Sequence, residues 1–289
     1  MTEGPLAILG PGTLGLSLAQ WAAECGLSTR LLGRDQDHAE AGRQEIQRRW
    51  DQAAAKGRLT TEVRREAEGR LSAQAFAPEA LEGISAFLEA LPEDPAAKCP
   101  ALASAADWGA PELLLLSGTS SLRISALALA AGLPNRLVGF HLFVPVPRMA
   151  VVEMGVAPGT PERLVERTRA LGHALRKRVV PVRDQPGFAA ARMALAQGLE
   201  AMRLLEAGVA SAEDLDALMT LGYGHPVGPL ELSDRIGLDL RLRIAEGLAG
   251  SGEERFRPPG TLVSKVAGGS LGLKSGSGFF PWAPQGRRA

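Results

Sequence analysis

A parallel β-sheet covered by helices, followed by an all-helical second part, is the fold this 289-residue sequence predicts. Three observations predict it. Short apolar runs alternate with helix-period segments up to about Arg183, a glycine-rich turn follows the first of those runs, and beyond Arg183-Asp184-Gln185-Pro186-Gly187 the strand signal gives way to helices. The boundary falls at Asp184, giving one domain over 1–183 and a second over 184–289.

In chain order, Leu6 to Leu9 is a strand closed by Gly10-Pro11-Gly12, and Leu14 to Glu24 has helical periodicity. A second strand spans Thr29 to Leu32. It is followed by a long charged helix from about Asp37 to Lys56 and another from Thr60 to Leu71. The later apolar runs Ala86 to Leu91, Leu113 to Leu116 and Leu137 to Phe143 alternate with helical segments, the pattern of parallel strands with crossover helices. The second part opens with an Ala-rich helix from about Phe188 to Glu206. Gly208 is read as its C-cap and Ser211, with Asp214 three residues on, as the N-cap of the next. Gly222, Gly224, Pro226, Gly228 and Pro229 mark a structured turn, and Leu271 to Phe280 is a glycine-bearing closing tail.

Composition excludes several functions. Lys plus Arg equal Asp plus Glu at 32 each, so no long-range field selects nucleic acid or an anionic membrane as partner. No run approaches the roughly 18 apolar residues of a membrane span, and the short acidic lead-in is not a signal peptide, so a cytoplasmic setting is expected. Two cysteines, Cys25 and Cys99, make no disulfide framework and show no metal-ligand spacing; both are expected to be buried as small apolar residues, and no metal site is expected.

The turn Gly10-Pro11-Gly12-Thr13-Leu14-Gly15 carries a GxGxxG set after a strand and at the start of a helix. Its glycines permit the tight turn, the approach of backbone to a pyrophosphate, and close helix packing, while the free amides of the helix start face the phosphates. In this context the first domain reads as a Rossmann-type, doubly wound α/β domain that binds NAD or NADP. The end of the second strand leaves that choice open. Gly33 stands where NAD sites carry a ribose-binding acid, and Arg34 follows it as a phosphate-binding site would have it; Asp35, two residues on, would return a carboxylate to the ribose after a small shift of the turn.

Leu137 to Phe143 and Ala150 to Glu153 are strand-like runs joined through Pro145 and Pro147. Paired as a hairpin, they set His141 opposite Glu153, with Cβ atoms roughly 5 Å apart. The carboxylate would then fix the imidazole tautomer and suit the second nitrogen to take a proton from a substrate hydroxyl. On the residues alone, a buried structural histidine with a surface glutamate stays open as well.

Ser117-Gly118-Thr119-Ser120-Ser121-Leu122, His141-Leu142-Phe143-Val144-Pro145-Val146-Pro147, Pro186-Gly187-Phe188 and Glu206-Ala207-Gly208-Val209-Ala210-Ser211 resemble, in order and spacing, the L-3-hydroxyacyl-CoA dehydrogenase family. So do Gly228-Pro229-Leu230-Glu231-Leu232 and the tail Gly272 to Phe280, and the match runs essentially end to end. The resemblance implies an oxidoreductase of fatty-acid metabolism that moves a hydride between a 3-hydroxyacyl-CoA and the nicotinamide cofactor. It implies His141 as general acid/base, Glu153 as its orienting partner, Ser120 as a contact to the substrate oxygen, and Glu93 and Lys98 as contacts near the nicotinamide. It further implies a helical domain that dimerises, hence a homodimer, with substrate between the two domains.

Three departures stand out. Ala191, directly before Arg192, replaces the family's Asn after Pro-Gly-Phe, Val144 replaces the Asn of its His-x-Phe-Asn-Pro, and Gly118 replaces an Asn before Thr119-Ser120. Each removes an amide near the substrate. Two alternatives follow, a dehydrogenase of another small 3-hydroxy acid, as in related enzymes of gulonate or carnitine, or a dinucleotide-binding protein with little catalysis. Elsewhere, Arg43, Arg48, Arg49 and Lys56 read as a solvated helix face rather than a coenzyme A site, His225 as a turn residue, and His38 and His173 as silent.

Overall fold

The computed structural model describes residues 4–286 and 288. They divide into two compact units, Met1–Phe188 and Ala189–Ala289. The first holds β1 (Leu6–Leu9), α1 (Thr13–Glu24), β2 (Thr29–Gly33), α2 (Gln36–Ala55), α3 (Thr61–Arg70), β3 (Leu71–Ala75), β4 (Ala86–Glu89) and α4 (Pro95–Trp108). It continues through β5 (Leu114–Ser117), α5 (Ile124–Ala130), β6 (Leu137–Leu142), β7 (Val151–Val156), α6 (Glu162–Ala174) and β8 (Arg178–Arg183).

The eight strands form one sheet in the order β3-β2-β1-β4-β5-β6-β7-β8. Every pairing is parallel except β6 with β7. All four residues of β1, β4 and β5 are buried, because central parallel strands are covered on both faces and must be apolar throughout. The two faces feed separate cores. Leu6 and Ile8 join Leu16 and Leu18 of α1, Ile46 and Trp50 of α2, and Leu164 and Leu171 of α6. Ala7 and Leu9 join Leu102 and Ala105 of α4 and Leu127 and Ala128 of α5. Helices on both faces make the sheet doubly wound. The strand order reverses between β1 and β4, which is where open α/β sheets receive their ligands.

The edge strands β3 and β8 were not foreseen from the sequence, and Ala86 to Leu91 is extended only to Glu89. The first unit also runs past Arg183. Asp184 accepts from the amides of Ile124 and Ser125 at 2.7 and 2.9 Å, capping α5 from a distance, and Phe188 is buried against the strands. Cys25 and Cys99 are half-buried rather than fully buried. Burial still pushes the Cys25 thiol up to about 11.

The second unit is helical: α7 (Ala190–Glu206), α8 (Ala212–Ala217), α9 (Pro229–Ile236), α10 (Leu238–Gly250) and α11 (Gly260–Ala267). Gly208 takes a positive φ after α7, and the Ser211 side chain accepts from the Asp214 amide, as the capping signals required. Asp234, fully buried on α9, accepts from Phe279 N, Phe280 N and Trp282 Nε1, each at 2.9 Å. A Cβ on Gly278 would stand 2.1 Å from that carboxylate, so the glycine of the tail is what lets the chain close over it. Among the described residues no helix is long and apolar enough to cross a membrane.

Candidate active site

The turn after β1 has the shape a pyrophosphate needs. Gly10 sits at φ +106°, and a Cβ on Gly15 would lie 1.9 Å from the Gly10 carbonyl oxygen, so both positions exclude a side chain. At Gly12, by contrast, a Cβ would meet nothing within 4 Å. That open ground lies at the N-cap of α1, whose first turn has no side-chain cap and no acidic residue. The free amides around Thr13 and Leu14 and the positive end of the helix dipole therefore remain for an anion. These residues fit a dinucleotide.

At the end of β2, Asp35 stands as the N-cap of α2. Its carboxylate caps α2, accepting from the His38 amide at 2.7 Å and from Arg34 Nε at 3.2 Å. The His38 amide and Arg34 hold that carboxylate below its ordinary range. Farther along α2, Arg43, Arg48 and Arg49 pair with Glu40 and Glu45 on the helix surface.

The β6–β7 register places His141 directly opposite Glu153. Both are buried, and His141 Nδ1 lies 2.7 Å from Glu153 Oε2. A carboxylate at that distance makes Nδ1 the protonated nitrogen and leaves Nε2 with its lone pair. The ring is packed between Phe143, 4.7 Å away by centroid, and Phe188 at 6.0 Å. Phe188 gets there because Gly139 and Gly155 leave room: a Cβ on Gly155 would stand 2.4 Å from its ring. The Pro-Gly-Phe motif thus supplies a wall of the histidine's pocket.

Ser120, Glu93 and Lys98 are brought into one network. Glu93 Oε1 accepts from Thr119 Oγ1 at 2.7 Å, Ser120 N at 2.9 Å, Ser121 N at 2.8 Å and Ser121 Oγ at 2.8 Å, with Ser120 Oγ at 3.3 Å. These bonds and the Lys98 ammonium lower the Glu93 carboxyl despite its burial. Lys98 is not a solvated helix residue. It is 1% exposed, and its Nζ lies 2.9 and 3.0 Å from the two oxygens of Glu89 and 3.4 Å from Glu93. Glu93 and Lys98 therefore have internal partners and hold the Thr119-Ser120-Ser121 turn in place.

Glu89 was missed from the sequence. It ends β4 with no exposed surface, bonded to Lys98 and Ser117 Oγ, and burial raises its carboxyl against the pull of Lys98. The available signal was a carboxylate inside the apolar run Ala86-Phe87-Leu88-Glu89, which demands a buried partner.

The departures are placed differently by the structure. A Cβ at Gly118 would lie 2.9 Å from Leu14 Cδ2 and 3.0 Å from the Glu89 carbonyl oxygen, so the glycine belongs to the local packing. Val144 is 46% exposed beside the histidine strand. Ala191 is half-buried in the first turn of α7, before Arg192, which pairs with Glu253 at 2.5 Å.

Comparison with known proteins gives a consistent result. Residues 5–185 match the family model described as 3-hydroxyacyl-CoA dehydrogenase, NAD binding domain, and residues 187–282 match that of the C-terminal domain of the same enzymes. A probable 3-hydroxybutyryl-CoA dehydrogenase of Bacillus subtilis is 36% identical over 278 residues, 96% of each chain. The pig mitochondrial hydroxyacyl-coenzyme A dehydrogenase is 31% identical over 96% of this chain and 90% of its own. The crystal structure of (S)-3-hydroxybutyryl-CoA dehydrogenase from Ralstonia eutropha superposes with a TM-score of 0.91 at 30% identity, covering 96% of this chain and 99% of that one.

Proposed function

This chain belongs to the 3-hydroxyacyl-CoA dehydrogenase family, and from that premise we propose that it interconverts a short-chain 3-hydroxyacyl-CoA, 3-hydroxybutyryl-CoA first among them, and the 3-oxoacyl-CoA. Its first unit is the family's NAD-binding domain. The buried His141–Glu153 pair carries the assignment of the proton chemistry. With Nδ1 held by Glu153, the Nε2 lone pair takes the proton of the 3-hydroxyl as that carbon is oxidised, and returns it to the carbonyl oxygen in the reverse direction. The bound nicotinamide supplies the acceptor or donor for the hydride.

Glu153 acts as a positioning residue, because the negative carboxylate favours the imidazolium that forms and fixes the ring's tautomer. Ser120 is assigned to the substrate oxygen, on a turn that Glu93 holds through backbone amides. Glu89 and Lys98 anchor this arrangement from inside the sheet. A homodimer is supported by large apolar side chains left exposed in the second unit, Leu221 at 87% and Tyr223 at 79%.

Ala191 offers a direct test of the substrate class. A substrate-facing amide donor is worth about 100-fold in kcat where it meets a developing oxyanion. Ala191→Asn is therefore expected to raise kcat/KM for acetoacetyl-CoA by about 10-fold or more. An unchanged or lowered value would show that the position does not face the reacting thioester in this chain.

A further inference from the structure

A pocket of about 510 Å³ opens beside the phosphate turn, with Gly10, Pro11, Arg34, His38, Phe76 and Trp108 in its lining. Gly10 and Pro11 belong to the pyrophosphate turn, and Arg34 and His38 to the end of β2 and the start of α2. This is the side of a doubly wound sheet that receives the adenosine half of a dinucleotide. Phe76 and Trp108, with ring centroids 5.0 Å apart, supply aromatic wall for an adenine.

Three features of the rim decide which ribose fits. A Cβ at Gly33 would stand 2.5 Å from the Ala39 amide nitrogen and 2.9 Å from the Asp35 carbonyl oxygen, so β2 cannot end in a carboxylate without displacing the start of α2. The nearby Asp35 carboxylate is engaged by the His38 amide and by Arg34. On the positive side, the Arg34 side chain is 79% exposed, and His38 lines the same pocket. The strand end itself offers a 2′-hydroxyl no acid, whereas a phosphate there meets the exposed Arg34 guanidinium, with His38 in the same lining.

We propose that Arg34 and His38 recognise a phosphate on the adenosine 2′ position, so that this chain takes NADP as well as NAD and binds NADP more tightly. The inference rests on the dehydrogenase reading for the presence of a dinucleotide. It assigns to these two side chains a role in choosing between cofactors, and Gly33 is the steric reason for the choice.

Isothermal titration calorimetry of the full chain with NADH and NADPH tests it without relying on turnover. The expected Kd for NADPH is about fivefold or more below that for NADH, a preference resting on charge-assisted phosphate bonds. Arg34→Ala should cut the NADPH-to-NADH affinity ratio about tenfold, and Arg34→Lys should restore only part of it, because an ammonium lacks the fork. The affinities of 2′-AMP and 5′-AMP should show the same split. Tighter binding of NADH, or a ratio unmoved in Arg34→Ala, overturns the inference and leaves the dehydrogenase reading standing. Binding of neither dinucleotide overturns both.

Discussion

His141→Gln is expected to lower kcat for acetoacetyl-CoA reduction by about a thousandfold, the middle of the range for a positioned acid/base. Glutamine keeps a polar side chain of similar length opposite Glu153, so β6 and β7 should stay paired and circular dichroism should match the wild type. What is lost is a ring nitrogen that can take a proton from the substrate hydroxyl and return it. KM should change by only about threefold, because proton transfer belongs to the transition state rather than to substrate binding. Glu153→Gln should cost about a hundredfold in kcat, again with KM nearly constant, since it removes the charge that orients and stabilises the imidazolium. A histidine variant within tenfold of the wild-type kcat would remove His141 from the chemistry.

Lys98→Met is expected to destabilise the first unit by about 3–5 kcal/mol, the usual cost of leaving a buried charge without its partner. Glu89 has no exposed surface, and both of its oxygens bond Lys98 Nζ. Removing the ammonium while keeping its volume leaves that carboxylate with Ser117 and the Leu91 amide. Such a loss corresponds to a fall of about 10 °C in the melting midpoint of a domain this size. Combining Lys98→Met with Glu89→Gln should recover most of the loss, because position 89, the fully buried partner, then carries no charge. Equal destabilisation in the single and double variants would mean that packing, not the ion pair, dominates. Lys98 also lies 3.4 Å from Glu93, so the single variant should raise KM through a looser Thr119-Ser121 turn.

The parts of this fold that the sequence discloses are those in which burial dictates residue type. The central strand Leu6–Leu9 is a continuous apolar run because both its faces are covered, and the phosphate turn is legible because glycine is required at Gly10 and Gly15. That His141 stands opposite Glu153 could be read from hairpin register, since cross-strand partners follow from where the turn is centred, while their roles came from the family resemblance. The edge strands were invisible for the converse reason. Leu71–Ala75 buries only Leu71 fully, and Arg178–Arg183 alternates exposed and covered residues around Pro181, which an edge tolerates and a central strand does not. Glu89 and Lys98 lie nine residues apart on a strand and the following helix, and periodicity says nothing about such a pairing. The Asp35 cap on α2 was hidden in the same way, because it depends on where that helix begins. The neighbours of Gly118, Leu14 and the Glu89 carbonyl, were likewise not legible, because they come from other elements of the sheet and its helices.

The site is expected to oxidise and reduce the 3-position of a CoA thioester, and a comparison of acetoacetyl-CoA with free acetoacetate as oxidant of the reduced cofactor tests this most closely. The thioester is expected to show a kcat/KM about a hundredfold or more above that of the free acid, because binding of the remote coenzyme A portion lowers the barrier at the reacting carbon. Equal or better use of free acetoacetate would contradict the claim and make this chain a dehydrogenase of small 3-hydroxy acids.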